Sequence, residues 1–228
     1  LGAVRDDLSS SLRTIILLIA GAAVALATSA LPFAAFFAHG THETVGIAGV
    51  LLAYLVGLVP FSTTFLLQRT FYALGDTRTP FFVQLVQSAL FVAGAVTVLL
   101  LPPTAIGAGI ALVTSLAGTV QALVMISLLR RRLGGVDGRL LLRRFGVYAL
   151  AMVPAAIVGL LVLWGLGGLA PVGLPTIGFA FANKAAELAS VVIIGGITLA
   201  VYFTVLALAR VPEWGDLVRP LRRRLTRS

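Results

Sequence analysis

The chain has 228 residues, 59% of them hydrophobic and only 11% charged, with a mean hydropathy of +1.07. A soluble domain carries roughly 25% charged residues, so this chain lacks the polar surface to coat a water-soluble core, and its continuous apolar runs, about twice the length of the ~10-residue alternating strands of a membrane barrel, exclude that architecture. The net charge is +9 and there is no cysteine, so no disulfide framework, zinc site or iron–sulfur centre is argued. The expected fold class is all-α, a polytopic membrane helix bundle.

Leu1 to Leu12 has neither the basic start nor the apolar run of a signal peptide. Because the first residue is Leu, the chain is expected to be a piece of something longer. About 20 apolar residues span the hydrocarbon core as a helix, and six segments qualify: 13–37, 44–72, 80–101, 105–129, 145–168 and 185–209. The second is long enough to tilt or to project from the membrane. Between the second and third lies a patch of mixed charge and turn chemistry that includes Arg69, Gly75, Asp76, Arg78 and Pro80. A helix is expected to end near Tyr72 or Ala73, turn through Gly75 and Asp76, and restart with Thr79 as its cap and Pro80 in the first helical position.

Sorted by connection, the basic residues fall in alternate loops. Sixteen arginines lie at the N-terminus (Arg5, Arg13), in the hinge (Arg69, Arg78), in the fourth connection (Arg130, Arg131, Arg132, Arg139, Arg143, Arg144) and in the tail, against Lys184 alone in the others. Positive charge accumulates on the cytoplasmic side, so both termini and the hinge are expected there. The loops holding His39–Glu43 and residues 169–184 then face outward. This also accounts for the net charge, since such clusters sit against anionic headgroups. Nucleic acid is not an expected partner, because residues 130–144 have no interleaved aromatics. The expected organisation is a four-helix part (1–129), a basic cytoplasmic loop (130–144), a last helix pair (145–209) and a basic cytoplasmic tail (210–228).

No Asp, Glu, Lys, Arg or His lies in the central part of any expected span. A charge there is costly and usually marks an ion or substrate path, so the segment by itself carries no proton relay or mid-depth anion site. Gln84, Gln87 and Ser88 share one face of the third helix, and Thr114, Ser115 and Gln121 mark the fourth. These groups either hydrogen-bond between packed helices or line a hydrated cavity; the candidate cavity set is Gln84, Gln87, Ser88, Thr114 and Gln121. Small residues at four-residue spacing (Gly21, Ala25, Ser29; Gly107, Ala111, Ser115) let helices approach closely. Pro60 and Pro154 fall within spans and Pro32 near an outer end, each favouring a kink. His39, His42 and Glu43 in an exposed loop give only a weak metal signal, and no metal or other cofactor is expected.

The run Phe71-Tyr72-Ala73-Leu74-Gly75-Asp76-Thr77-Arg78-Thr79-Pro80 resembles the corresponding turn of the MurJ/MviN family of lipid II flippases. Residues 31–40 resemble the end of that family's ninth helix and residues 106–117 its twelfth. The six segments fit helices nine to fourteen. The resemblance implies the multidrug/oligosaccharidyl-lipid/polysaccharide exporter fold in the bacterial cytoplasmic membrane. It also implies transport of the undecaprenyl-pyrophosphate-linked peptidoglycan precursor, lipid II, from inner to outer leaflet by alternating access.

The partners it implies are that lipid, membrane lipids and an N-terminal lobe preceding Leu1. That lobe and the eighth helix hold the family's essential cavity arginines, none of which carries over. The last two helices form its lipid-tail groove. Pro60, Gly75, Asp76, Arg78 and Pro80 are the expected hinge residues for switching. Some members bind sodium through Asn and Asp one turn apart in the eleventh helix; here the matching positions hold Phe91 and Ala95, neither able to coordinate an ion, while Thr114 matches a third ligand. The rivals are another polysaccharide-lipid or drug exporter of the same superfamily and a non-transporting membrane scaffold whose basic tail recruits partners. An enzyme is disfavoured, because no carboxylate pair, His–Ser pair or metal cluster occurs at membrane depth.

Overall fold

The structure is a computed structural model and describes residues 2–132, 138–168, 178–209 and Val211. Among these, α-helices cover Gly2–Thr28 (α1), Ala30–Phe37 (α2), Thr41–Ala73 (α3), Arg78–Val98 (α4), Pro103–Arg132 (α5), Gly138–Gly165 (α6) and Lys184–Leu208 (α7). A short 3₁₀ turn, Phe179–Phe181, precedes α7, and no strand occurs among the described residues. Six of the helices are long and apolar enough to cross a membrane. The chain is an all-α, multi-pass membrane bundle.

Several boundaries differ from expectation. The first span is two helices, because Pro32 has no N–H to give the Thr28 carbonyl and its ring crowds that turn. The hydroxyls of Thr28 and Ser29 instead bond back to carbonyls of the preceding turn, including Ala25. The expected basic loop at 130–144 is largely helical: α5 runs through Arg132 and α6 starts at Gly138. Arginine is a good helix former and its charge suits the C-terminal end of α5. His42 and Glu43 lie in the first turn of α3, not in a loop, and the Glu43 carboxylate accepts from the His39 amide at 2.9 Å. The expected tail lies outside the described residues except Val211, as do residues 169–177 of the long outer connection.

At about 1.5 Å per residue, the 33 residues of α3 reach well beyond a ~30 Å hydrocarbon core. The helix stays continuous through Pro60, whose carbonyl accepts from the hydroxyls of Thr63 (2.7 Å) and Thr64 (3.0 Å). These bonds lie one turn beyond the Val56 carbonyl, the group that Pro60 leaves without its helical donor, so they add to the helix there without replacing the lost bond.

Packing divides the bundle into two groups that are bridged by α1 and by the short α2, which packs on both α3 and α7. α3 packs most extensively on α5, and α4 lies on α5 with little contact to its own sequence neighbour α3. α6 and α7 pack on each other and on α1, whereas α5 and α6 barely touch. One apolar cluster (Leu8, Leu12, Leu67, Phe71, Val83, Met125, Leu129) joins α1, α3, α4 and α5 at the arginine-rich end. A second, built on Leu17, Tyr148 and Tyr202, joins α1, α6 and α7.

Large apolar side chains elsewhere, such as Phe82, Leu85, Leu150 and Val192, point outward, as suits a lipid-facing surface. Lipid is as apolar as leucine, so small residues and interhelical hydrogen bonds hold such a bundle. Several crossings carry them. Ser115 donates to the Ala53 carbonyl (2.7 Å), Tyr202 donates to the Leu17 carbonyl (3.0 Å), and Thr28 and Thr198 share a hydrogen bond (3.1 Å). Gly159 faces that threonine pair so closely that a Cβ would lie 2.4 Å from Thr198 Oγ1.

Candidate functional site

Three polar constructions and one cavity stand out from the apolar bundle. The first is the α3–α4 turn. Gly75 adopts φ +73°, which glycine reaches without strain. Asp76, not Thr79, caps α4: one carboxylate oxygen accepts from the amides of Arg78 (3.0 Å) and Thr79 (2.9 Å), and the other from the Thr79 hydroxyl (2.5 Å). The helix therefore starts two residues before Pro80, which still lies in the first turn, where its missing N–H has no intrahelical partner to lose. Arg132, the last residue of α5, ion-pairs with Asp76 at 2.6 Å and lies over the Phe71 ring. Nothing in the sequence pattern joins residues 76 and 132; only the helix packing does.

The Thr79 hydroxyl and then the Thr79 amide hold the Asp76 carboxyl below the usual carboxylate range; burial opposes them, and Arg132 and the Arg78 amide add weaker lowering effects. A folded-state pKa that is lowered stabilises the fold above the unfolded value, and that contribution is lost as pH falls through the folded value. Asp76→Ala is therefore expected to lower the thermal midpoint by a few degrees and to speed amide exchange at Arg78 and Thr79. Asp76→Asn, which keeps an acceptor but loses the charge, is expected to do less. The difference from wild type should be constant above about pH 5 and shrink only below about pH 4. A difference that varies between neutral and mildly acidic pH would rule out this role.

The second construction is a run of amides. Gln84 donates to Gln87 Oε1 (2.7 Å) and accepts from Gln121 Nε2 (2.8 Å), tying α4 to α5. Gln121 is buried, whereas Gln84 and Ser88 are exposed on α4. Thr114 bonds back to the Ile110 carbonyl within its own helix (2.8 Å). The structure thus brings Gln84, Gln87 and Gln121 together and leaves Ser88 and Thr114 apart from them.

The third is at the opposite end. Lys184 donates to the last carbonyls around α2, Ala35 (2.6 Å) and Ala38 (3.0 Å), and pairs with Glu187 at 3.3 Å. The only hint of it in the sequence is that one lysine stands apart from sixteen arginines.

The cavity, about 610 Å³, lies between α1, α3, α5 and α6, where the two packing groups fail to meet. Its walls are almost wholly apolar (Leu12, Ile16, Leu123, Met152), with Pro60 on one side and Arg130 at the arginine-rich end. The hydroxyls of Thr63 and Thr119 on its walls are occupied by carbonyls of their own helices. Of the expected cavity and hinge residues, only Pro60 lines it; Gln84 and Pro80 line a smaller hollow at the α3–α4 turn. No cluster of metal-ligating side chains occurs among the described residues.

The sequence profile of the family described as lipid II flippase MurJ matches residues 2–175. The chain belongs to that family. This MurJ-family chain also superposes on a solved structure described as "Lipid II flippase MurJ, inward closed conformation", with a TM-score of 0.62 at 18% identity, covering 91% of this chain and 40% of that one. At that identity the likeness concerns the fold. The chain therefore spans well under half the length of the solved MurJ protein. No curated protein matches it. The profile takes in α1 to α6, and α7 lies beyond its match.

Proposed function

We propose that this chain is the C-terminal part of a lipid flippase of the bacterial cytoplasmic membrane. It translocates the undecaprenyl-pyrophosphate-linked peptidoglycan precursor, lipid II, from the inner to the outer leaflet by alternating access. The observation that carries this reading is family membership over residues 2–175, on a bundle whose walls leave an apolar cavity open between α5 and α6. The arginine-rich end faces the cytoplasm, by the asymmetry of sixteen arginines against one lysine. α6 and α7 serve the lipid tail, and the α3–α4 turn with Pro60 serves the switch.

The pyrophosphate needs fixed positive charge, which is strongest in a low-dielectric site. The central parts of the spans hold no cation, so that charge comes from an N-terminal lobe of the same protein. In a bacterium depleted of its own lipid II flippase, the full-length gene is expected to restore growth and prevent accumulation of inward-facing lipid II. Residues 1–228 alone in liposomes are expected to translocate nothing. Failure of the membrane-inserted full-length protein to clear lipid II would refute the substrate. Transport by the 228 residues alone would refute the division of labour.

A further inference from the structure

Where α3 ends and α4 begins, Gln68 and Tyr72 on one side and Thr77, Pro80, Phe81 and Gln84 on the other wall an open hollow of about 520 Å³. No charged side chain lines it. Phe81 is 63% exposed and Tyr72 53%, so both rings offer a free face. Gln68, Tyr72 and Thr77 make no side-chain hydrogen bond among the described residues. Gln84 is held by Gln87 and Gln121 and retains one N–H and one lone pair.

The hollow thus presents two carboxamides, two hydroxyls and two aromatic faces without any charge. Its walls offer no cation to hold a pyrophosphate. An alkyl chain would desolvate the amides and hydroxyls without replacing their hydrogen bonds, which is costly. A sugar satisfies both sets of groups: its hydroxyl and acetamide groups pair with neutral donors and acceptors, and its C–H faces lie on aromatic rings.

We infer that this hollow is a saccharide subsite, taking the sugar part of the head group as it enters from the arginine-rich side. The inference rests on the flippase reading for its natural ligand. Tyr72 and Phe81 supply the platform, and Gln68 and Gln84 read the hydroxyl and amide groups. The Gln84–Gln121 bond fixes the second amide in place before the ligand arrives.

The chain has no cysteine. Thr77→Cys in the full-length protein, reconstituted in vesicles and read by peptide mapping, therefore reports occupancy through its rate of maleimide labelling. The probes are lipid II, undecaprenyl pyrophosphate without sugar, and a neutral glycosyl diacylglycerol. Both sugar-bearing lipids are expected to slow labelling, and the bare pyrophosphate to leave it unchanged. Gln68→Ala and Phe81→Ala change exposed or half-exposed side chains and leave the helix contacts intact. Each is expected to raise the concentration of the glycosyl lipid needed for protection by about tenfold.

Equal protection by the bare pyrophosphate, or unchanged protection in both variants, overturns the subsite. So does absence of protection by either sugar-bearing lipid while lipid II still co-purifies with the protein, a result that spares the flippase reading. Protection by the glycosyl lipid without any binding of lipid II keeps the subsite and overturns the flippase reading.

Discussion

Gly57→Leu is expected to separate α3 from α5 and cost about 3 kcal/mol or more, as overpacking of a close contact does. A Cβ at this position would lie 2.6 Å from the Ser115 Cα and 2.7 Å from its Oγ. The nearest obstacle is backbone, so no rotamer change relieves it, and Ser115→Gly should not rescue the variant. Moving the helices apart also stretches the Ser115 hydroxyl away from the Ala53 carbonyl, 2.7 Å distant. That bond alone is worth about 1 kcal/mol or less, so Ser115→Ala should be mild. The control is Gly118→Ala on α5, where a Cβ meets nothing within 4 Å. It should be neutral or slightly stabilising, since alanine gains up to about 1 kcal/mol of helix propensity over glycine. Unfolding in detergent would compare the three; equal midpoints for Gly57→Leu and Gly118→Ala would contradict the close crossing.

Lys184→Met should be comparably damaging for a different reason. The Glu187 side chain is only 9% exposed, and its Oε2 makes no hydrogen bond. The ammonium 3.3 Å away is what compensates that charge, and it also closes the carbonyls of Ala35 and Ala38. Breaking a buried pair by removing one partner costs roughly 3–5 kcal/mol. Because the Lys184 side chain is 54% exposed, the expected loss is near the low end, about 3 kcal/mol. The double variant Lys184→Met/Glu187→Leu leaves no unpaired charge and should recover most of it. Thermal unfolding of the single and double variants decides the matter: a double variant no more stable than the single would show that Glu187 is not the source of the cost.

Much of the bundle is legible in the sequence because membrane spans are local. Twenty apolar residues in a row report a crossing without reference to their neighbours, and five of the six expected segments are helices of similar extent, the first being divided between α1 and α2. The turn at Gly75 and Asp76 was legible for the same reason. The errors arose where local rules competed. Thr79 and Asp76 are both good caps, and choosing between them needed the position of Arg132. Pro32 looked like a terminal kink and instead split a span. The polar pattern on α4 was visible as a shared face, yet which amides met across helices depended on α5 lying between α3 and α4.

Apolar content, helix number and the one-sided placement of arginine follow from the order of residues along the chain, since each depends on transfer between water and lipid, one segment at a time. The Asp76–Arg132 pair, the Lys184 staple, the 610 Å³ cavity and the uncharged hollow beside Gln68 do not. They exist because α1 and α2 join two groups of helices and because Gly57, Ser115 and Gly159 set how closely particular helices approach. In a bilayer such choices rest on small differences in packing and hydrogen bonding, and those differences are realised only once all the helices are in place.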